Sequence, residues 1–224
     1  MNVGILLAAG ASSRYGSSKA LAKSKGQSFV VRGVRTLWSV CDRVIVVLGS
    51  NAARTQRALE AEFVALAEAG ALVPETHAAR DKGRQALEVH FVTNAKWKRG
   101  MLGSAQLGLA SAIAMRPRAV MVLPVDHPAV KPVTLMELAA LMSEALGAAG
   151  KVGEKTLAYA LVPRYRKKRG HPLVMSFALA RTIVRDRGAI DLSDAVKRHA
   201  RLVGYLDVRD GGVVKNVNTP KRRA

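Results

Sequence analysis

Four clusters of residues in this chain have types and spacings that could do chemistry. The first is the run Leu7, Ala8, Ala9, Gly10, Ala11, Ser12, Ser13, Arg14 and, five residues on, Lys19, in which an apolar stretch empties into a loop of small and basic residues. Backbone amides of small residues can approach an anion closely, and Arg14 and Lys19 supply charge, so the loop suits a nucleotide or another polyphosphate. The second is Asp126, which follows the apolar run Ala119 to Leu123 and precedes His127 and Pro128. It is expected at the carboxyl edge of a sheet, where open α/β folds bind ligands and a hard carboxylate can hold Mg²⁺ against substrate phosphates. The third is Ser104 after Gly103, either a nucleotide contact at a helix N-terminus or a plain N-cap. The fourth is the basic run Arg166, Lys167, Lys168 and Arg169, followed by Gly170, His171 and Pro172. These bases can grip an acceptor phosphate, and the proline holds His171 extended.

Spacing excludes the commonest phosphate loops. A Walker A loop has four residues between its glycines and a lysine directly after the second, whereas five separate Gly10 from Gly16 and Lys19 comes three later. The G-x-G-x-x-G dinucleotide fingerprint is absent. Nor does the start read as a secretory signal, since no basic residue precedes Ile5 to Ala9 and that run is too short for a signal's core.

The elements that must position these residues alternate between strand and helix, which predicts a Rossmann-like α/β fold, a mostly parallel sheet with helices on both faces. Strands are expected at Asn2 to Ala8, Arg43 to Leu48, Val89 to Thr93, Ala119 to Leu123, Leu157 to Val162 and Leu173 to Met175. Helices are expected at Phe29 to Ser39, Ala52 to Ala69, Gly103 to Met115, Thr134 to Ala149, Phe177 to Val184 and Leu192 to Arg201. Asp210, Gly211 and Gly212 signal a hairpin between two closing strands. Periodicity breaks around Pro74, so the stretch from about 70 to 88 reads as a surface insertion. With no repeat and no linker, residues 1–224 read as one domain.

Composition narrows the class. The 36 Lys and Arg against 16 Asp and Glu leave a net charge of +20, which attracts polyanions. Aromatic residues make up 4% and the basic residues are scattered, so platforms for stacking bases are scarce and specific nucleic-acid recognition is disfavoured. No apolar run approaches a membrane span. The single cysteine, Cys41, cannot form an internal disulfide, and a cytoplasmic location is expected.

The segments LAAGASSRYGSSKAL (Leu7 to Leu21), NAKWKRGMLGS (Asn94 to Ser104), LPVDHP (Leu123 to Pro128), PRYRKKRGHPLVMS (Pro163 to Ser176) and, more loosely, DGGVVKNVNTP (Asp210 to Pro220) resemble, in the same order, those of the MobA-like NTP transferases. The Gly170, His171, Pro172 triplet and the tryptophan segment at Trp97 are similar to the molybdenum cofactor cytidylyltransferases within that family. The resemblance implies a nucleotide-diphospho-sugar transferase type of fold and transfer of CMP from CTP to the phosphate of molybdopterin, with release of pyrophosphate. It also implies Mg²⁺ held by Asp126 and Asn218, catalysis by Arg14, Lys19 and Asp126, and an acceptor held by Arg169, Gly170 and His171. A molybdenum enzyme would receive the product. Ala9, where guanylyl relatives carry glycine, adds a methyl beside the base and favours CTP over GTP. Against the cytidylyl pattern, Asn216 and Asn218 stand where D-x-D is usual, Tyr15 replaces a methionine, and the closing acidic segment is missing. Other readings are a GTP-using enzyme, transfer to another small phosphorylated acceptor, a non-catalytic polyanion- or RNA-binding module, and a cofactor-delivering scaffold.

Overall fold

The computed structural model describes residues 1–10, 19–24, 26–72, 87–151 and 157–217. The elements are β1 (Asn2–Ala8), β2 (Lys23–Ser24), β3 (Gln27–Ser28), α1 (Phe29–Trp38), β4 (Arg43–Leu48), α2 (Ala52–Glu68), β5 (Glu88–Thr93), α3 (Met101–Ala114), β6 (Ala119–Pro124), α4 (Pro132–Lys151), β7 (Tyr159–Tyr165), β8 (Lys168–Arg169), β9 (Leu173–Ser176), α5 (Phe177–Arg185), α6 (Leu192–His199) and β10 (Leu202–Asp207). Among the described residues eight strands form one sheet in the order β10-β7-β9-β6-β1-β4-β5, with β8 beside β7, while β2 and β3 pair separately. The pairs β1–β4, β1–β6, β4–β5 and β7–β10 are parallel, and β9 runs antiparallel to β6 and β7.

Buried parallel strands need apolar side chains on both faces, and the period of two divides those side chains between two cores. Leu6, Val46, Leu48, Met121 and Leu123 pack against α1, α2 and α4 through Val34, Leu37, Leu59, Leu135 and Leu138. Ile5, Leu7, Ile45, Val47, Val120 and Val122 pack on the opposite face against α3, α5 and α6 through Leu109, Ile183 and Val196. Helix α1 starts where the Ser28 hydroxyl accepts from the Val31 amide at 3.2 Å, and α5 starts where the Ser176 hydroxyl accepts from the Leu179 amide at 3.3 Å.

This is the mostly parallel, doubly covered α/β sheet expected from the sequence, with two corrections. The hairpin expected at Asp210, Gly211 and Gly212 does not form. Residues Gly211–Val214 make a 3₁₀ turn, and the buried Asp210 carboxylate accepts from the amides of Gly212 and Lys131, both at 2.8 Å, and from the Thr134 hydroxyl at 3.0 Å. Three donors from two parts of the fold outweigh the local turn preference. In addition, one helical window, Pro132–Ala149, is long and apolar enough to cross a membrane, contrary to the expectation that none is. Leu135, Leu138 and Met142 of that helix are fully buried in the core it shares with α1 and the sheet. Most of the expected insertion, residues 73–86, lies outside the described residues.

Candidate functional site

The chain runs from β1 outward to β4 and β5, then returns through β6 to the other side of β1. The carboxyl ends of β1 and β6 are therefore a switch point, where an open α/β sheet leaves a crevice. A cavity of about 400 Å³ opens there, lined by Leu7, Ala8, Ala9 and Gly10 after β1, by Pro124, Val125 and Asp126 after β6, and by Lys19, Trp97, Lys98, Gly100, Met101 and Ser104. The Val125 amide donates to the Leu7 carbonyl at 3.0 Å, tying the two strand ends together just beyond their ladder.

Gly49 shapes the roof. A Cβ there would lie 2.2 Å from the Ala9 carbonyl oxygen and 2.7 Å from the Trp97 Cβ, so its absence lets Ala9 and Trp97 both pack closely on this backbone. Asn94 fixes the segment that carries Trp97: its amide donates to the Leu48 carbonyl at 2.7 Å, its Oδ1 accepts from the Lys96 amide at 2.9 Å, and its Nδ2 donates to Ser104 Oγ at 2.9 Å. Ser104 is not an N-cap, because Gly100 occupies that position and Ser104 sits one turn inside α3. Its hydroxyl is buried on the cavity wall. Sequence reasoning gave Asn94 no role of its own; an asparagine closing an apolar strand ahead of a turn was the signal available.

Lys19 and Asp126 are brought together. Lys19 Nζ lies 3.5 Å from Asp126 Oδ2, with the side chains 15% and 26% exposed. Such a pair contributes little to stability, and both residues line the cavity instead of a sealed core. The Asp126 carbonyl accepts from the Val217 amide at 2.8 Å, which anchors the C-terminal segment beside it. Arg14, Ala11, Ser12, Ser13 and Asn218 lie outside the described residues.

A second cavity of about 340 Å³ adjoins the first and shares Leu7, Met101 and Pro124 with it. Arg169, Gly170 and His171 line it. A Cβ on Gly170 would come within 2.5 Å of the Val213 carbonyl oxygen, so this segment lies flush against the 3₁₀ turn, and the His171 amide donates to that same carbonyl at 2.9 Å. The His171–Pro172 peptide bond is cis. The rings of His127 and His171 lie 4.6 Å apart at 60°, and neither buried Nδ1 has a hydrogen-bond partner among the described residues. Burial, with the neighbouring His127 adding to it, pushes His171 down to about 4, against a weaker opposing pull from Asp126. Burial also lowers His127, opposed by Asp126 and the Gly212 backbone. Near neutrality His171 is thus an uncharged ring.

This burial predicts a pH dependence of stability. The unfolded chain takes up protons on these histidines near 6.5, whereas folded His171 does so only near 4. Because the unfolded state binds more protons in that window, stability is fully present above 6.5 and is lost progressively as pH falls toward 4. The midpoint of urea unfolding, followed across that window, is expected to fall, and to fall less in His171→Asn. The same slope in the variant contradicts the assignment to His171.

The model of the MobA-like NTP transferase domain matches residues 4–202. No curated protein matches the chain. Among solved structures, the chain is similar to a nucleotidyl transferase from Methanothermobacter thermautotrophicus (TM-score 0.64, 19% identity, 98% of this chain and 92% of that one). It is also similar to Rv0371c from Mycobacterium tuberculosis H37Rv (TM-score 0.62, 23% identity, 97% and 93%). A third is molybdopterin-guanine dinucleotide biosynthesis protein A from Archaeoglobus fulgidus (TM-score 0.54, 17% identity, 98% and 93%). The fold is the nucleotide-diphospho-sugar transferase-like α/β fold.

Proposed function

The chain belongs to the MobA-like NTP transferase family, and from that premise we propose that it transfers CMP from CTP to the phosphate of a molybdopterin acceptor, releasing pyrophosphate. The observation that carries this reading is the Lys19–Asp126 pair facing a cavity at the β1/β6 switch point, with a second, cation-rimmed cavity alongside. The first cavity takes the nucleotide and the second the acceptor, so that the acceptor phosphate meets the α-phosphorus near Pro124 to Asp126.

A divalent ion fits Asp126. The donor is a hard oxygen, its carboxylate is partly exposed at the cavity, and Mg²⁺ usually takes one or two protein carboxylates while keeping several waters. Among the described residues no group of three or more His, Cys, Asp or Glu side chains gathers into a metal site, which suits that sparse mode better than a closed transition-metal cage. Asn218, next in sequence after the Val217 that bonds Asp126, would supply a neutral second oxygen. Bound there, the ion would neutralise charge on the reacting phosphates. The protein needs no nucleophile of its own, because the acceptor phosphate is already ionised at neutral pH. Its remaining work is positioning and charge: loop amides after β1 hold the triphosphate, and Arg14 and Lys19 offset the charge that leaves with pyrophosphate. A molybdenum enzyme receiving the dinucleotide and a cytoplasmic location belong to the same reading.

Base choice rests on Ala9, which lines the first cavity and is buried. Pyrophosphate release with Mg²⁺ and molybdopterin, measured with CTP, GTP and ATP in turn, is expected with CTP. Ala9→Gly is expected to raise the GTP-to-CTP ratio of kcat/KM by about tenfold, the usual scale for one methyl in a pocket. Preference of the unaltered protein for GTP would transfer the assignment to the guanylyl branch.

A further inference from the structure

Asn94, directly after β5, and Ser104, on α3, form a buried pair beside the first cavity, and the geometry around them fixes where their protons lie. The Asn94 atom 2.9 Å from the Lys96 amide must be the oxygen, because a backbone N–H only donates. The atom 2.9 Å from Ser104 Oγ is therefore the NH₂ group, which also only donates. The main chain of Asn94 is committed as well, its amide to the Leu48 carbonyl at 2.7 Å and its carbonyl to the Trp97 amide at 3.2 Å, so the carboxamide is held in this sense. Ser104 Oγ is thus an acceptor within the pair, and its own proton has to go elsewhere. A helical hydroxyl can return its proton to the carbonyl four residues back, as Ser111 does to Leu107 and Thr182 to Ala178, both at 3.2 Å. Ser104 makes no such bond among the described residues, and it lines the cavity.

We propose that Asn94 is a positioning residue that makes Ser104 an obligate hydrogen-bond donor to the nucleotide, and that the atom Ser104 meets is a neutral oxygen of the nucleoside half, a base carbonyl or a ribose hydroxyl. The proposal rests on the reading above that the first cavity holds the nucleotide, and it gives that wall a polarity. A ligand that presents an amino group at this point can reach the remaining lone pair of Ser104 only by leaving the Ser104 proton buried without a partner, so an acceptor is favoured there. Burial sharpens the choice, because Ser104 is 3% exposed and Asn94 8%, and little water competes for that proton. A neutral acceptor suits the pair better than a phosphate oxygen, since neither residue carries charge, whereas Lys19 and the loop after β1 line the same cavity and supply a cation and free amides.

Affinity for CTP by calorimetry, with KM and kcat for pyrophosphate release, tests this in Ser104→Ala, Asn94→Asp and the double variant. Asn94→Asp keeps the acceptor for the Lys96 amide but replaces the NH₂ by an oxygen, which takes the Ser104 proton and leaves the hydroxyl an acceptor toward the cavity. Each single variant is expected to weaken CTP by about tenfold, the scale of one neutral hydrogen bond, and to raise KM with kcat within about threefold of normal. In the Ser104→Ala background, Asn94→Asp is expected to add less than about twofold. Unaltered CTP affinity in Ser104→Ala overturns the proposal. So does an Asn94→Asp loss that persists at full size without the Ser104 hydroxyl, which is what added negative charge or a displaced Trp97 segment would produce. Should Asn94→Asp not fold, Asn94→Ser, which also lacks the NH₂, takes its place in the same comparison. Tripolyphosphate is expected to bind the unaltered protein and Ser104→Ala alike; a loss there places the contact on phosphate and overturns the nucleoside assignment. The Ser104→Ala loss is expected to vanish with 2-thio-CTP if a base carbonyl is the partner, and with 2′-deoxy- or 3′-deoxy-CTP if a ribose hydroxyl is; its persistence with all three also overturns that assignment. If the variants behave as stated and no pyrophosphate is released, the transfer reading fails alone; if CTP turns over with both single variants unaltered, the positioning role fails alone.

Discussion

Asp126→Ala is expected to reduce pyrophosphate release by about 10³-fold or more while leaving the protein folded. Stabilisation of transferring phosphoryl charge by a bound divalent ion is worth several kcal/mol, and each 1.4 kcal/mol or so is a factor of ten in rate. The cost to the fold is small for two structural reasons. The side chain is partly exposed, with Lys19 as its 3.5 Å partner, an arrangement typically worth about 0 to 1 kcal/mol. The tie that matters locally, from the Val217 amide to the Asp126 carbonyl, uses main-chain atoms that the substitution keeps. Thermal unfolding within a few degrees of the unaltered protein, measured beside turnover, separates the two effects. Asp126→Asn keeps the volume and one neutral oxygen and is expected to remain severely impaired. Turnover above about a tenth of normal in either variant removes Asp126 from the reaction centre.

What was legible in the sequence follows from how each signal arises. Buried parallel strands are continuous apolar runs, so Arg43 to Leu48 was bounded correctly and Ala119 to Leu123 missed only Pro124. The position of Asp126, two residues past the end of β6, follows from the same run. Tertiary choices were not legible. Asp210 with two glycines favours a hairpin locally, but Lys131 and Thr134, distant in sequence, claim its carboxylate. A tight turn between antiparallel strands does occur at Arg166 and Lys167, at φ 50° and 65°, where neither residue is a usual left-handed turn former. Its signal was hidden for that reason, and β7 was expected to stop at Val162 instead of Tyr165. The approach of Arg169 to the Tyr205 ring was not legible either, because only the placement of β10 beside β7 brings the two together. Cys41 carried no such ambiguity, since it is buried beside the apolar run it borders.

Lys19→Ala is expected to lower kcat by about 10² to 10³, with a smaller change in the KM for nucleotide. Lys19 opens the short 3₁₀ turn Lys19–Leu21, and its neighbour Ala20 is buried, which fixes where the side chain departs. From there Nζ reaches Asp126, and both residues line the first cavity. Negative charge on the departing pyrophosphate grows as the bond to the α-phosphorus breaks, so a cation held there interacts more strongly with the transition state than with the bound substrate, and its loss falls mainly on kcat. Removing one preorganised charge or donor from such a site typically costs this much. Lys19→Arg keeps the charge but replaces a compact ammonium with a broader planar group, and partial recovery is expected. Under the proposed transfer Lys19 and Asp126 act on the same phosphates, and the double variant Lys19→Ala, Asp126→Ala is expected to be scarcely worse than Asp126→Ala alone. A rise in KM with kcat unchanged would instead make Lys19 an anchor for the ground state, and strictly multiplicative losses in the double variant would mean that the two residues serve separate sites.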